Sequence, residues 1–450
     1  MALEDFRPNA MRCNRCSYCK WIPFDRVKSW EFAKGCPSVD YNHFHAYSGG
    51  GRLITLMSLT DGRSEVTNEV VDIVFKCGLC GLCDVSCKVC RYDMHLLDSF
   101  REFRHVLNEQ GYVPEAYPGV VAKLRETGNM AGRPRADRVS WTDGLALQRL
   151  ALADAAAAPG VSAAVAADAA TVDKAEILFH AGCRYSFDPS LKTAVRAATK
   201  LLSKGGVDFA IDAEEGCCGG KAYDMGYRAD FAAAAEANLK KWRAAGVKTI
   251  VTPCATCFYT FKRLYPAALS GLGLGADYGI EVLHTVQVVD SLLKEGRLQL
   301  TTPIPMKVTY HDPCHLGRQG EDYVPWHGKE IKIYGQAVVY EPRRPRYNGA
   351  FGVYEPPRDV INAIPGVELI EMERTKEASW CCGAGAALPQ AYPEFSAWTA
   401  SKRIDEAKST GADAVLTACG GCVKNLGGAV AADGSKMEVI DMLELVERAL

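Results

Sequence analysis

Cysteine spacing constrains this chain more than any other property it has. Cys13, Cys16 and Cys19 are separated by two residues each, and so are Cys77, Cys80 and Cys83, with Cys87 following. Further along, one pattern occurs twice: a single cysteine, a Cys-Cys-Gly triplet, then a C-x2-C pair. The first copy is Cys183, Cys217-Cys218-Gly219, Cys254 and Cys257; the second is Cys314, Cys381-Cys382-Gly383, Cys419 and Cys422. With Cys36 and Cys90 these make 19 cysteines in 450 residues. Such a density suits either a small disulfide-stapled secreted domain or thiolates reserved for metal. The length, the odd count and the ligand-type spacing argue for metal. The N-terminal Met-Ala-Leu-Glu-Asp-Phe-Arg-Pro has no basic segment followed by an apolar core, so a reducing, cytoplasmic setting is expected.

Composition narrows the function classes. Lys and Arg number 52 against 54 Asp and Glu, a net charge of −2, which leaves no electrostatic footprint for nucleic acid or anionic lipid. Hydrophobic residues make up 48%, enough for large cores, and no stretch of about 18 residues is apolar and uncharged, so no membrane span is expected.

Three thiolates on one short loop can hold three corners of an iron–sulfur cube, and a distant cysteine must supply the fourth. In two-cluster ferredoxins the fourth cysteine of each run ligates the other cluster. The second run has the full spacing through Cys87, although Lys88 stands where ferredoxin runs usually have Pro; the first run finds its displaced fourth cysteine at Cys36, followed by Pro37. The expected sets are therefore Cys13, Cys16, Cys19 with Cys87, and Cys77, Cys80, Cys83 with Cys36. Structural zinc, the competing reading, usually uses paired C-x2-C units rather than three cysteines in series. Cys90 is left over, a buried free thiol or a substitute ligand.

The rest of the chain alternates strands and helices. Leu96, Phe100, Phe103 and Leu107, with Tyr92, place a helix within 91–110. The stretch 146–172 is Ala-rich and reads as a linker or a poorly packed helix. Strands are expected at 177–181, 207–211, 247–252 and 280–284, with helices at 191–202, 222–245 and 286–293. The same order recurs with strands at 306–311, 367–372, 414–417 and 439–440 and helices at 393–410 and the C-terminus. This is a tandem duplication of one α/β unit with a parallel sheet. Near-equal gaps of 35 residues between Cys218 and Cys254 and 36 between Cys382 and Cys419 argue that both cysteine sites share one geometry. Ligand sites in such sheets gather at the carboxyl ends of strands, and a helix opening after each C-x2-C favours thiolate charge. Five thiolates per site is one more than a cube or a zinc tetrahedron needs.

These motifs resemble the CCG-domain proteins, the heterodisulfide reductase catalytic subunits and their relatives, and the arrangement resembles the D-type subunit. The resemblance implies an α+β multidomain chain: an α-helical two-cluster ferredoxin at 1–110, a linker at 111–173, and two tandem Rossmann-like α/β CCG domains at 174–302 and 303–450. It implies two cubane [4Fe–4S] clusters and two noncubane [4Fe–4S] clusters, which account for every cysteine but Cys90. The first five-cysteine site, Cys183, Cys217, Cys218, Cys254 and Cys257, is expected to carry the disulfide-type chemistry; zinc in one of these sites is the alternative. The insertion at 318–349, with Tyr323-Val-Pro-Trp-His-Gly-Lys and Tyr340-Glu-Pro-Arg-Arg-Pro-Arg-Tyr, is similar to that of the heterodisulfide-reductase-like subunit of class II benzoyl-CoA reductase complexes. The related subunit of a membrane complex of sulfite reduction shares much of this text. The implied activity is oxidoreductase electron transfer within a larger complex. The implied partners are a heterodisulfide reductase A-type flavoprotein, other redox subunits and ferredoxin. No nucleotide fingerprint follows any strand, so neither flavin nor NAD is expected on this chain.

Other residues carry weaker signals. His180, His311 and His315 lie close to Cys183 and Cys314 and either serve cluster sulfurs and proton relays or are satisfied strand-end histidines. Lys221 follows Cys-Cys-Gly-Gly and is a candidate for holding an anionic thiol, or a solvated lysine. Arg343, Arg344 and Arg346 form a basic loop or a docking point. Gly49-Gly-Gly reads as a turn, not a phosphate loop.

Overall fold

The computed structural model describes residues 3–23, 26–90, 94–150, 170–267, 278–322, 326–333, 337–343 and 348–450, apart from the side chains of residues 89, 90, 337 and 338. The Cys90 side chain, Tyr92, Tyr323, Arg344, Arg346 and most of the Ala-rich stretch therefore lie outside what is described.

Two parallel sheets with one topology make up the C-terminal part. In the first, β3 (Ile177–Phe179), β4 (Ala210–Ile211), β5 (Thr249–Thr252) and β6 (Glu281–His284) run in the order β4-β3-β5-β6. In the second, β7 (Met306–His311), β10 (Val367–Leu369), β11 (Ala414–Thr417) and β12 (Glu438–Asp441) run in the order β10-β7-β11-β12. The spatial order is thus the same in each unit, as a duplication requires. These strands are short and mostly apolar, fitting sheets covered on both faces by helices. Lys192–Lys204 buries Val195, Ala198, Leu201 and Leu202 on one such face. One continuous core joins the two units, and across it the buried Tyr185 hydroxyl donates to Asp441 at 2.6 Å.

The segment expected as a linker, 111–173, is structured at both ends. It forms a helix, Ala116–Thr127, and strands β1 (Gln148–Leu150) and β2 (Thr171–Val172), which extend the first sheet beyond β4. Gln148-Arg-Leu has no apolar alternation to announce a strand; pairing with the existing edge of β4 makes it one. The insertion at 318–349 carries an antiparallel hairpin, β8 (Lys329–Ile333) with β9 (Ala337–Glu341). Its base is closed by Glu321, whose carboxylate accepts from the Gly349 and Phe351 backbone at 2.9 and 3.2 Å.

The N-terminal region is helical. The expected helix spans Leu96–Glu109 and buries Leu96, Phe100, Phe103 and Leu107. It packs with Gly49–Thr60 and Asn68–Phe75 in a second core that also takes in Met225, Ala386 and Ala387 from the two α/β units. The helical region is therefore seated on both units at the carboxyl side of their strands, where the cysteines lie.

Candidate metal centres

The N-terminal cysteines lie in two adjoining groups. Cys36 has Cys77 and Cys80 as charged neighbours, and one small cavity is lined by Cys36, Cys77, Cys80 and Cys83. Cys87 instead has Cys13, Cys16 and Cys19 as neighbours, and burial pushes its thiol up to about 12. Between the two sets lies Gly49-Gly-Gly, which is not a turn but the first turn of the helix Gly49–Thr60, capped by the Ser48 hydroxyl accepting from Gly51 N. A Cβ on Gly49 would meet Cys19 and Cys83 Cβ, both at 3.2 Å, and one on Gly50 would sit 3.4 Å from Cys13 Sγ. The glycines let a helix N-terminus approach both thiol sets, and Gly50 N–H donates to Cys19 Sγ at 3.4 Å. Sequence reading missed this role, because the close approach comes from residues distant in sequence.

In each α/β unit the cysteines leave the carboxyl ends of three adjacent strands. Cys183 follows β3, Cys217 and Cys218 follow β4, and Cys254 and Cys257 follow β5; Cys314, Cys381–Cys382 and Cys419–Cys422 follow β7, β10 and β11. Cys254 and Cys419 each stand at the start of a helix, Ala255–Tyr259 and Gly420–Asp433. The triplet glycines have the left-handed backbone that favours glycine, φ +75° at Gly219 and +84° at Gly383. This turns their N–H groups back onto the thiols: Gly219 N–H donates to Cys217 Sγ at 3.4 Å and Gly383 N–H to Cys381 Sγ at 3.3 Å. The thiols are packed against each other. Cys183, Cys217, Cys218 and Cys257 form a hydrogen-bonded chain, in which donation from Cys217 pulls Cys218 down to about 5. Cys422 lies 3.2 Å from Cys382, and His311 joins that pair with all three ligand atoms within 4.8 Å of one another.

Both sites open on one cavity of about 430 Å³, lined by all five cysteines of the first site and by Cys314, Cys382, Cys419 and Cys422 of the second. His315, Lys221, Arg184 and Lys424 also line it. The fifth cysteine of the second site, Cys381, faces the other way, towards Cys80. Its thiol donates to Cys80 and draws Cys80 down to about 6.

The histidines differ. His311 accepts from Arg403 Nε on Nδ1 at 3.1 Å and faces the Cys382 thiol. His315 stacks on Tyr259 and bonds Thr256 Oγ at 3.2 Å. His180 is buried in an aromatic nest of Trp242 and Phe261, without a hydrogen bond on either ring nitrogen, and burial holds it neutral. Beside it, and unannounced by the sequence, Glu215 accepts from the Ala181 and Gly182 backbone at 2.7 and 2.9 Å and from Arg138 at 2.6 Å. Arg138 also donates to Cys183 Sγ at 3.6 Å. Lys221 reaches Gln390 at 3.0 Å, and burial lowers its pKa to about 8. Arg343 is exposed just past the end of β9.

This donor set fits sulfur-ligated iron. Each α/β site gathers five thiols at a strand edge, with backbone N–H groups aimed at sulfur. The buried Arg104, bonded to the Cys77 carbonyl, and Arg318, beside Cys80 and Cys314, each keep Nε unpartnered, as suits a neighbouring anion.

Comparison with known proteins agrees with the geometry. The cysteine-rich domain (CCG) matches twice, at residues 177–262 and 343–427. The second match starts beyond Cys314, which the insertion separates from its partners. The chain is 28% identical over 446 residues to the D subunit of the dihydromethanophenazine:CoB–CoM heterodisulfide reductase of Methanosarcina acetivorans, covering 97% of this chain and 93% of that one. It is 26% identical to the probable iron-sulfur-binding oxidoreductase FadF of Bacillus subtilis, across 91% of this chain and 51% of that protein. It is 33% identical to the EtfAB:quinone oxidoreductase of Syntrophomonas wolfei, across 47% of this chain and 24% of that protein. The chain thus carries two copies of the CCG domain and is homologous to the D-type subunit of heterodisulfide reductase. These relationships place it among iron–sulfur oxidoreductases and imply iron–sulfur clusters on it. Among the described residues no helix is long and apolar enough to cross a membrane.

Proposed function

We propose that this chain is the electron-transfer and disulfide-handling subunit of a heterodisulfide-reductase-like complex. Its eight N-terminal ligand cysteines would hold two cubane clusters in the crossed sets, and its ten CCG cysteines two noncubane clusters. When bound, these clusters supply one-electron carriers and, at the five-cysteine sites, iron accessible to an exogenous sulfur.

The observation that carries this reading is the shared cavity. Reducing a disulfide breaks one S–S bond and takes two electrons and two protons, giving two thiols. A chamber walled by two cysteine sites can hold a disulfide against both while the two electrons arrive in one-electron steps. Lys221 and Arg184 give its lining positive charge for an anionic thiol product, while Lys424 is paired with Asp188 at 3.2 Å, and the helix N-termini after Cys254 and Cys419 stabilise a released thiolate. The Cys80–Cys381 contact supplies the route from the N-terminal sets to the second site. The first five-cysteine site, not in contact with the N-terminal sets through such a pair, remains the better place for the substrate sulfur.

The resemblance of the insertion further supports assignment to a benzoyl-CoA reductase-type complex, with a heterodisulfide reductase A-type flavoprotein and other redox subunits as partners and ferredoxin as a donor. The test is a pair of variants, Cys217→Ser and Cys381→Ser, assayed for reduction of an artificial disulfide by a low-potential donor. Both lose activity if both sites serve one chamber. Unchanged turnover in both, with clusters confirmed missing, defeats the proposal.

A further inference from the structure

The two N-terminal cysteine sets differ in the charge buried around them. Arg52, Arg104 and Arg318 are 2%, 0% and 5% exposed and ring the Cys36–Cys77–Cys80–Cys83 set. Arg52 lines the same small cavity and its charge acts on Cys36. Arg104 donates to the Cys77 carbonyl at 2.7 Å. Arg318 sits where Cys80, Cys314 and Cys381 converge and donates to the Glu377 carbonyl at 2.8 Å and to that of Ser379, tethering the segment that leads into Cys381.

None of the three meets a carboxylate among the described residues. Apart from the Ser38 hydroxyl, their hydrogen bonds go to backbone carbonyls. Elsewhere in the molecule a buried arginine has its acid: Arg138 has Glu215 at 2.6 Å, and Arg374 and Arg403 share Glu406 at 2.9 and 2.6 Å. Buried cations without counter-charge are costly unless an anion is placed among them. Facing the other set, the buried Lys88 already has its acid, Asp84, at 2.6 Å beside Cys87, and Cys16, Arg12 and Arg15 are exposed, where water screens charge.

We propose that Arg52, Arg104 and Arg318 are the resident counter-charge of the cluster held by Cys36, Cys77, Cys80 and Cys83, and that they set its potential above that of the Cys13–Cys16–Cys19–Cys87 cluster. This rests on the reading that both sets hold clusters. Buried positive charge favours the reduced, more negative state of whatever it surrounds. One electron leaving the outer, solvent-facing site therefore comes to rest at the inner one, next to Cys381 and the chamber. Flow runs from the Cys16 surface inward, and the three arginines are positioning residues for that order.

The test is an EPR-monitored redox titration of the full, cluster-loaded chain. Cys36→Ser and Cys87→Ser mark which N-terminal signal belongs to which set. In the wild type the signal marked by Cys36→Ser is expected to reduce first. In Arg318→Met its reduced-to-oxidised ratio at a fixed poise falls about tenfold, equivalent to about 59 mV for a one-electron couple. Arg318→Lys, which keeps the charge and loses the tether, restores most of that ratio. The signal marked by Cys87→Ser does not move in either variant. The proposal is overturned if the Cys87-marked signal reduces first or together with the other, a result available from the wild type even where a variant fails to assemble. It is equally overturned if Lys and Met at position 318 shift the ratio alike, the mark of a purely structural role. Absence of both signals from the wild type defeats the cluster reading itself, and this proposal with it.

Discussion

The Cys381 thiol donates a hydrogen bond to Cys80 across the boundary between the N-terminal helical region and the second α/β unit. Each of these cysteines belongs to a different proposed ligand set, so the pair brings two of those sets together. Gly78 makes this possible: a Cβ there would lie 3.4 Å from Cys381 Sγ and 3.2 Å from Leu388. Among the described residues the first five-cysteine site makes no such contact and is reached across the chamber.

The crossed grouping is testable at Cys36. Cys36→Ser alters the spectrum of the cluster held with Cys77, Cys80 and Cys83 and leaves that of the Cys13 run unchanged. Assignment by EPR of singly reduced samples checks it. A structure of the loaded chain with Cys36 bonded alongside Cys13, Cys16 and Cys19 would falsify the grouping.

The Cys-Cys-Gly glycine is required by its backbone. A Cβ on Gly383 would lie 2.5 Å from the Ser396 carbonyl oxygen, at φ +84°. Gly383→Ala is expected to cost roughly 2–4 kcal/mol, combining left-handed strain with a backbone clash. Gly434 has similar backbone, φ +67°, with nothing within 4 Å of a Cβ, so Gly434→Ala costs only about 1 kcal/mol. Chemical denaturation of the two variants compares them, and equal losses contradict the role given to Gly383.

Lys221 gives the chamber a pH dependence. Its pKa near 8, lowered by burial, leaves it charged below that pH and neutral above it. The KM for an anionic disulfide therefore rises as pH passes from 7 to 9. Lys221→Arg, charged throughout, flattens that rise, and Lys221→Met raises KM about tenfold at pH 7, the loss of roughly 1.4 kcal/mol of charge–charge attraction. A KM indifferent to all three changes removes Lys221 from substrate binding.

Much of the fold was legible because the duplication is written twice. Met306–His311 and Ala414–Thr417 are strands at the expected bounds, and the cysteines mark the strand ends. What escaped was set by tertiary contact. Gln148–Leu150 is a strand only because β4 offers an edge. Gly49-Gly-Gly opens a helix capped by Ser48, and only the distant cysteines beside it explain why glycines stand there. Arg138, Arg104 and Arg318 look like ordinary basic residues in sequence, and only their burial beside cysteines distinguishes them. The single chamber was not legible either, since nothing in the spacing says that the two five-cysteine sites face each other.

The account rests on four complete ligand sets, and iron content tests that most directly. Anaerobic iron and acid-labile sulfide analysis of the reconstituted chain is predicted to give about 16 of each per chain, by the ligation of four [4Fe–4S] clusters. A value of about 8, with zinc or empty thiols making up the CCG sites, would contradict it.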